Sequence, residues 1–124
     1  MAHSSILIVD DNPANIKIIR VALTREGYDV RSAPDANKAL AALESFRPDL
    51  VLMDIQLPGI DGLELTRRLK SDPSTREIKI IGFSAYATKA DEERIIAAGC
   101  DGYILKPIDT RTLSKLIEDY LKTR

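Results

Sequence analysis

Four short runs of apolar residues, each leading directly into a polar turn, constrain the fold of this chain more than any other feature. The runs are ILIV (6–9), LVLM (50–53), IKIIGF (78–83) and GYIL (102–105), and a weaker, alternating run, YDVR, spans 28–31. Apolar runs of this length are typical of strands buried on both faces, as in a parallel sheet. We therefore predict five strands in one sheet.

Helical patterns fill the segments between these runs. Two segments have apolar residues at helical spacing, namely Ala36, Ala39, Leu40 and Leu43 in one, and Leu113, Leu116, Ile117, Tyr120 and Leu121 in the other. The candidate helix ends are Asn12 (before Pro13), Thr88 and Asp109 as N-caps, and Gly27 and Gly99 as left-handed C-terminal residues. Each amphipathic helix has one apolar face to place against the sheet.

The strand and helix patterns alternate five times, without repeats or a linker. This order predicts an α/β fold, a doubly wound five-stranded parallel sheet flanked by five helices, with right-handed crossovers. A length of 124 residues fits a single domain over 1–124. The order of the strands in the sheet does not follow from the alternation.

Composition limits the functions open to the chain. Eighteen Lys and Arg against 19 Asp and Glu leave a formal charge of -1, which gives no electrostatic reason to expect binding to nucleic acid or membrane. The sequence has no apolar run near the roughly 20 residues of a membrane span. The single cysteine, Cys100, cannot form an intramolecular disulfide, so we expect a reducing compartment, the cytoplasm.

Polar side chains follow four of the five predicted strands. Asp10 and Asp11 follow the first, Asp54 the third, Ser84 the fourth and Lys106 the fifth. Ligands of open parallel sheets bind beyond the carboxyl ends of the strands, so we expect these residues to form one site.

The types of these residues indicate phosphoryl chemistry with a divalent cation. Three carboxylates repel one another unless they hold protons or a cation. Oxygen ligands without His or Cys suit Mg²⁺ or Mn²⁺, which leaves coordination positions for phosphate oxygens. Asp54 could accept a phosphoryl group as a mixed anhydride, with Lys106 and the Ser84 hydroxyl stabilising its oxygens.

The motifs also resemble a known family. VDDNPANIKIIRVALTREGY, PDLVLMDIQLPGIDGLEL, IIGFSAYA and AAGCDGYILKPI are similar to the receiver domain of bacterial response regulators, the CheY-like superfamily, across essentially the whole chain. The segment DEERIIAAGCDGYILKPI is most similar to the single-domain, cell-division type.

The resemblance implies a role for each site residue. Asp54 would be the phosphoacceptor and would also belong to the Mg²⁺ site. Asp11 would bind Mg²⁺ directly, Asp10 would act largely through water, and the backbone carbonyl of Gln56 would add a ligand. Lys106 would contact the phosphoryl group.

Two further positions carry family expectations about switching. Ser84 stands where many receivers have Thr and would hydrogen-bond the phosphoryl group in the active state. Tyr103 holds the aromatic switch position. The resemblance also implies the flavodoxin-like strand order 2-1-3-4-5 and a cis peptide bond between Lys106 and Pro107.

In this interpretation the chain is a single-domain response regulator of a two-component phosphorelay. Its partners would be a histidine kinase or histidine phosphotransfer protein and a downstream protein effector, contacted through the surface of helix 4, strand 5 and helix 5. The chain would catalyse only its own phosphorylation and dephosphorylation, and would be a monomer or a weak, phosphorylation-linked dimer. The alternative is a receiver domain from a hybrid kinase or longer regulator.

Three other classes fit the residues less well. A hydrolase of the haloacid dehalogenase type expects a second acid two positions after the nucleophile, where this chain has Gln56. A flavodoxin needs a phosphate-binding loop after the first strand, where DDNPAN would repel phosphate. A purely structural binding module would not respond to Mg²⁺ with a phosphoryl mimic.

Overall fold

The computed structural model describes residues 4–55, 62–84, 88–105 and 109–122. In these ranges strands and helices alternate throughout, which confirms the predicted α/β class. The elements are β1 (Ser5–Val9), α1 (Pro13–Arg25), β2 (Asp29–Ala33), α2 (Ala36–Leu43), β3 (Leu50–Asp54), α3 (Gly62–Ser71), β4 (Lys79–Ser84), α4 (Lys89–Ala97), β5 (Gly102–Leu105) and α5 (Thr110–Lys122).

The strands form one parallel sheet in the order β2-β1-β3-β4-β5. The order 2-1-3-4-5 implied by the family resemblance is therefore confirmed. β3 lies in the centre, and each of its five residues is buried. The strand that ends in Asp54 is thus held by neighbours on both sides over most of its length.

Two apolar layers cover the two faces of the sheet. α1 and α5 pack on one face, through Ile19, Leu23, Leu113 and Ile117. α2, α3 and α4 pack on the other, through Ala36, Ala39, Leu63, Leu69, Ile95 and Ala98. This division follows from right-handed crossovers, because the chain reverses its direction across the sheet after β2.

Three of the predicted helix ends have the expected geometry. The Asn12 side chain accepts hydrogen bonds from the N–H groups of Ala14 and Asn15, and the Thr88 hydroxyl accepts one from Asp91 N–H. Asp109 accepts one from Arg111 N–H, at 2.9 Å, just before α5.

The two predicted C-terminal glycines also have positive φ angles. Gly27 has φ of 92° and Gly99 has φ of 108°. Only glycine adopts this conformation at little cost, so the sequence pattern correctly marked the ends of α1 and α4.

Some strand boundaries differ from the sequence prediction. Asp54 and Ser84 are the last residues of β3 and β4, not the first residues after them, and β2 spans 29–33 instead of 28–31. Pairing between strands sets these limits. Asp54 belongs to β3 because it pairs with Phe83 of β4, and β2 extends to Ala33 because that residue pairs with Val9 of β1. In the described part of the chain, no helix combines the length and apolar character of a membrane span.

Candidate functional site

The register of the central strands brings the predicted acids together. Val9 pairs with Met53, so the register continued by one residue places Asp10 opposite Asp54. Side chains alternate between the two faces of a strand, so Asp10 lies on the same face as Ile6 and Ile8. In the same way, Asp54 lies on the same face as Leu50 and Leu52. All four apolar residues belong to the layer under α1 and α5. The two carboxylates therefore leave the sheet on the same face.

Asp11 completes a cluster of three acids. One carboxylate oxygen from each of Asp10, Asp11 and Asp54 lies within 4.8 Å of the others. Asp10 and Asp54 are buried, whereas Asp11 is exposed. The cluster thus has a buried floor and an open side, which a ligand from solvent could reach.

The Asp10 carboxylate is fixed by the turn into α1. Its Oδ1 accepts a hydrogen bond from Asn12 N–H at 2.9 Å. Its Oδ2 is buried and has no hydrogen-bond partner in the described part of the structure. Burying a polar atom without a partner costs free energy, so we expect this oxygen to bind a cation, a proton or a water molecule.

The electrostatics of Asp10 reflect the same crowding. Burial raises the pKa of Asp10, the bond from Asn12 N–H lowers it, the adjacent Asp54 carboxylate raises it again, and the Asn15 side chain lowers it; the net direction is upward. Raised carboxyl pKa values are common at functional sites, where like charges are held together for a ligand.

The switch candidates lie on the neighbouring strands. Ser84 ends β4 and is buried, one residue beyond the Phe83 that pairs with Asp54. Tyr103 lies on β5, is partly buried and packs against the layer of α2, α3 and α4. The Glu92 carboxylate of α4 is the main cause of a raised Tyr103 pKa. Tyr103 therefore connects β5 to α4.

Three predicted site residues cannot be compared with the structure. Gln56, Lys106 and Pro107 lie outside the described residues. Their proposed roles and the cis peptide bond stay predictions.

Sequence reasoning missed two residues that shape the site. It treated Asn12 only as a helix cap, although its main-chain N–H also holds Asp10. Gly62 stood only as one letter of the PDLVLMDIQLPGIDGLEL motif, although a Cβ there would overlap the main-chain oxygen of Asp54. The Asp10-to-Asn12 spacing of an Asx turn could have indicated the first contact. The second depends on how α3 packs.

The acidic cluster fits a hard divalent cation. Carboxylate oxygens within 4.8 Å of one another, one of them buried without a partner, are the ligands that Mg²⁺ prefers. The open side on Asp11 would leave positions for water or a phosphoryl oxygen.

Comparison with known proteins agrees with this geometry. The model of the response regulator receiver domain family matches residues 6–118. The chain therefore belongs to the response regulator receiver domain family, which acts in two-component signalling and is not a classical enzyme family.

One curated relative and two solved structures show where in the family the chain falls. The polar-differentiation response regulator DivK of Brucella anthropi is 44% identical over 117 residues, which are 94% of this chain and 95% of DivK. A CheY-like receiver domain protein from Methanospirillum hungatei is 34% identical, with a TM-score of 0.89 and coverage of 98% of this chain and 96% of that one.

The second structure bears on the metal. The receiver domain of a sensor histidine kinase from Pseudomonas aeruginosa, with magnesium coordinated in its active-site cleft, is 33% identical, with a TM-score of 0.87 and coverage of 98% of this chain and 99% of that one.

The 44% identity with DivK confirms the similarity to the single-domain, cell-division type that the sequence motifs indicated. The CheY-like fold is confirmed as well.

Proposed function

We propose that the chain is a single-domain response regulator that accepts a phosphoryl group on Asp54 from a phosphohistidine. The phosphodonor would be a histidine kinase or a histidine phosphotransfer protein, and the output would be a downstream protein effector. The identity of 44% with DivK, against 33% with the receiver domain of the Pseudomonas aeruginosa histidine kinase, supports this interpretation over a receiver domain within a hybrid kinase. We propose one receiver domain over 1–124 and a cytoplasmic location, in keeping with the free thiol of Cys100.

The observation that carries the proposal is the buried Asp10 Oδ2 without a partner, within a cluster that contains Asp54. Asp10, Asp11, Asp54 and the Gln56 carbonyl would hold Mg²⁺. When bound, Mg²⁺ would neutralise part of the charge on the carboxylates and on the phosphoryl oxygens. Without such compensation, a dianionic phosphoryl group would not approach three acids.

The residues of this chain contribute mainly position and charge. Asp54 Oδ attacks phosphorus, the bond between phosphorus and the donor imidazole nitrogen breaks, and the imidazole keeps the electron pair. An acyl phosphate forms on Asp54. Lys106 would stabilise the charge on the phosphoryl oxygens, as in other phosphoryl transfers.

The proposed switch uses Ser84 and Tyr103. The Ser84 hydroxyl would donate a hydrogen bond to the new phosphoryl group, and the Tyr103 ring would turn inward, away from Glu92. Moving a two-state equilibrium from 1:99 to 99:1 requires about 5.5 kcal/mol. A few charge-assisted hydrogen bonds of about 1.5–3 kcal/mol each are large enough. The surface of α4, β5 and α5 would then change its affinity for the effector.

The first experiment measures phosphorylation by intact mass, with Mg²⁺ and acetyl phosphate as donor. The wild type should gain the mass of one phosphoryl group, and Asp54→Asn should gain none. Asp49→Asn is a matched control, because Asp49 lies before β3, at the opposite end of that strand. No added mass on the wild type, or equal labelling of Asp54→Asn, would overturn the proposal.

A second experiment addresses the partners. The protein is used as bait with and without Mg²⁺ plus beryllofluoride, a phosphoryl mimic, and captured proteins are identified by mass spectrometry. Ser84→Ala should still be phosphorylated but should lose the beryllofluoride-dependent capture. Equal capture by wild type and Ser84→Ala would argue against the switch while leaving the phosphoacceptor in place.

A further inference from the structure

Ile55, the residue after Asp54, is held by main-chain bonds to two different elements. Its N–H donates to the Phe83 carbonyl of β4 at 3.1 Å, and its own carbonyl accepts from Gly62 N–H at the start of α3, also at 3.1 Å. Its side chain is buried in the layer under α2, α3 and α4. The chain therefore leaves β3 along one fixed direction.

Two glycines make room for this arrangement. A Cβ on Gly82 would lie 2.8 Å from Ile55 Cδ1 and 3.3 Å from Cγ1. A Cβ on Gly62 would lie 2.2 Å from the Asp54 oxygen and 2.8 Å from Ile55 Cα. The side chain of Ile55 thus fills the space above Gly82, and α3 begins directly against the Asp54 peptide.

These contacts of Ile55 come at the end of the paired part of β3. The pairing of β1 with β3 stops at Val9 and Met53, whereas β4 continues to pair up to Asp54. Asp54 is therefore the last residue of β3 in the ladder, and Ile55 lies directly beyond it. The contacts of Ile55 with Gly62 and Gly82 fix the peptide that joins it to Asp54.

We infer that Ile55, seated between Gly62 and Gly82, is a positioning residue for Asp54. Because Asp54 and Ile55 share a peptide plane, rotation at Ile55 swings the Asp54 Cα–Cβ bond and moves its carboxylate relative to Asp10 and Asp11. Misplacing a reacting group by 1 Å costs about 100-fold in rate. The inference rests on the proposed role of Asp54.

The test uses steric conflict and its relief. Gly82→Ala places a methyl group against Ile55 Cδ1, and Ile55→Val removes that same atom. Gly82→Ala should lower both Mg²⁺ affinity and the phosphorylation rate by about tenfold. The double variant Gly82→Ala/Ile55→Val should return to within about threefold of the wild type. Mg²⁺ affinity is measured by calorimetric titration and the rate by intact mass over time.

A control separates positioning from loss of stability. Gly27→Ala strains a residue with φ of 92° and meets no atom within 4 Å, at the end of α1 distant from the acids. It should lower stability in urea while leaving Mg²⁺ affinity and the phosphorylation rate unchanged. A fall in Mg²⁺ affinity in Gly27→Ala equal to that in Gly82→Ala would overturn the inference.

Each remaining outcome has a definite meaning. Wild-type affinity and rate in folded Gly82→Ala, or absence of recovery in the double variant, would overturn the positioning role. If Gly82→Ala does not fold, Ile55→Ala decides, because it removes the seated side chain without adding a clash and should lower Mg²⁺ affinity. Unchanged affinity there would also overturn the inference. If the wild type accepts no phosphoryl group, it is the proposed function that fails.

Discussion

Asp54 raises the pKa of Asp10, because the two carboxylates lie at the ends of adjacent strands and within 4.8 Å of each other. Burial of Asp10 is the larger cause and acts in the same direction. In the absence of a cation, burial and the Asp54 carboxylate therefore both disfavour the negative charge of Asp10 in the folded protein. Such a site lowers stability for the sake of binding.

Asp10→Asn should stabilise the metal-free protein. The amide can keep the hydrogen bond from Asn12 N–H and removes a crowded negative charge, so the free energy of unfolding at neutral pH should rise by about 1 kcal/mol. Urea denaturation in EDTA measures this. Added Mg²⁺ should raise the melting temperature of the wild type more than that of the variant.

Asp72→Asn is the control for charge removal in general. Hydrogen bonds from Ser74 N–H and Oγ lower the pKa of Asp72, so this carboxylate is stabilised in its charged form. Its neutralisation should lower stability, opposite in sign to Asp10→Asn. A loss of stability in both variants would contradict the account of the acidic cluster.

Asp101→Ala should destabilise the fold far from the acids. Asp101 Oδ2 accepts Ile80 N–H at 2.8 Å and the Lys70 ammonium at 2.9 Å. Loss of this acceptor leaves a partly buried N–H unsatisfied, and we expect a cost of about 1–3 kcal/mol in urea denaturation. Asp101→Asn, which keeps an acceptor oxygen, should lose less. Equal losses would mean that the ion pair with Lys70, not the bond to Ile80, dominates.

Cys100 should react slowly with iodoacetamide in the native protein. Burial raises its pKa above the ordinary value of 9.0, although a weak bond to Thr66 opposes the shift. At about pH 9 the native thiol should be alkylated at least tenfold more slowly than in urea. Mass spectrometry measures the alkylated fraction directly, since the chain has one cysteine.

The sign of the associated pH dependence follows from the same shift. The folded protein holds the Cys100 proton more tightly than the unfolded chain does, so this contribution to stability is present below about pH 9 and is lost as the pH rises further. Cys100→Ala should reduce the alkaline loss of stability. If Cys100→Ala loses as much stability at alkaline pH as the wild type, other groups cause that loss.

Asn12→Ala should affect both stability and metal binding. The side chain caps α1 through Ala14 and Asn15 N–H, and its removal should cost about 1 kcal/mol. Because the capped turn also holds Asp10, the Mg²⁺-dependent rise in melting temperature should shrink. Thr88→Ala removes a similar cap from α4 and should lose stability while keeping the full Mg²⁺ effect.

Much of the fold could be predicted because its signals are local. The buried run LVLM identified β3, and Gly27 and Gly99 identified helix ends, since apolar period and left-handed φ are properties of neighbouring residues. Strand ends were less predictable. Asp54 and Ser84 belong to strands because partners on the adjacent strand pair with them.

The sequence by itself determined the alternation of strands and helices and the residue types at the carboxyl edge, because these depend on short-range patterns. It also carried the motifs that resemble receiver domains. Only the tertiary structure decided that Asp10 Oδ2 is buried without a partner, that Ile55 is seated on Gly82, and that Lys70 meets Asp101. The contact of Ile55 with Gly82 joins residues 27 positions apart, and that of Lys70 with Asp101 joins residues 31 positions apart. These contacts and the burial of Asp10 Oδ2 are set by strand register and helix packing, which no local pattern encodes.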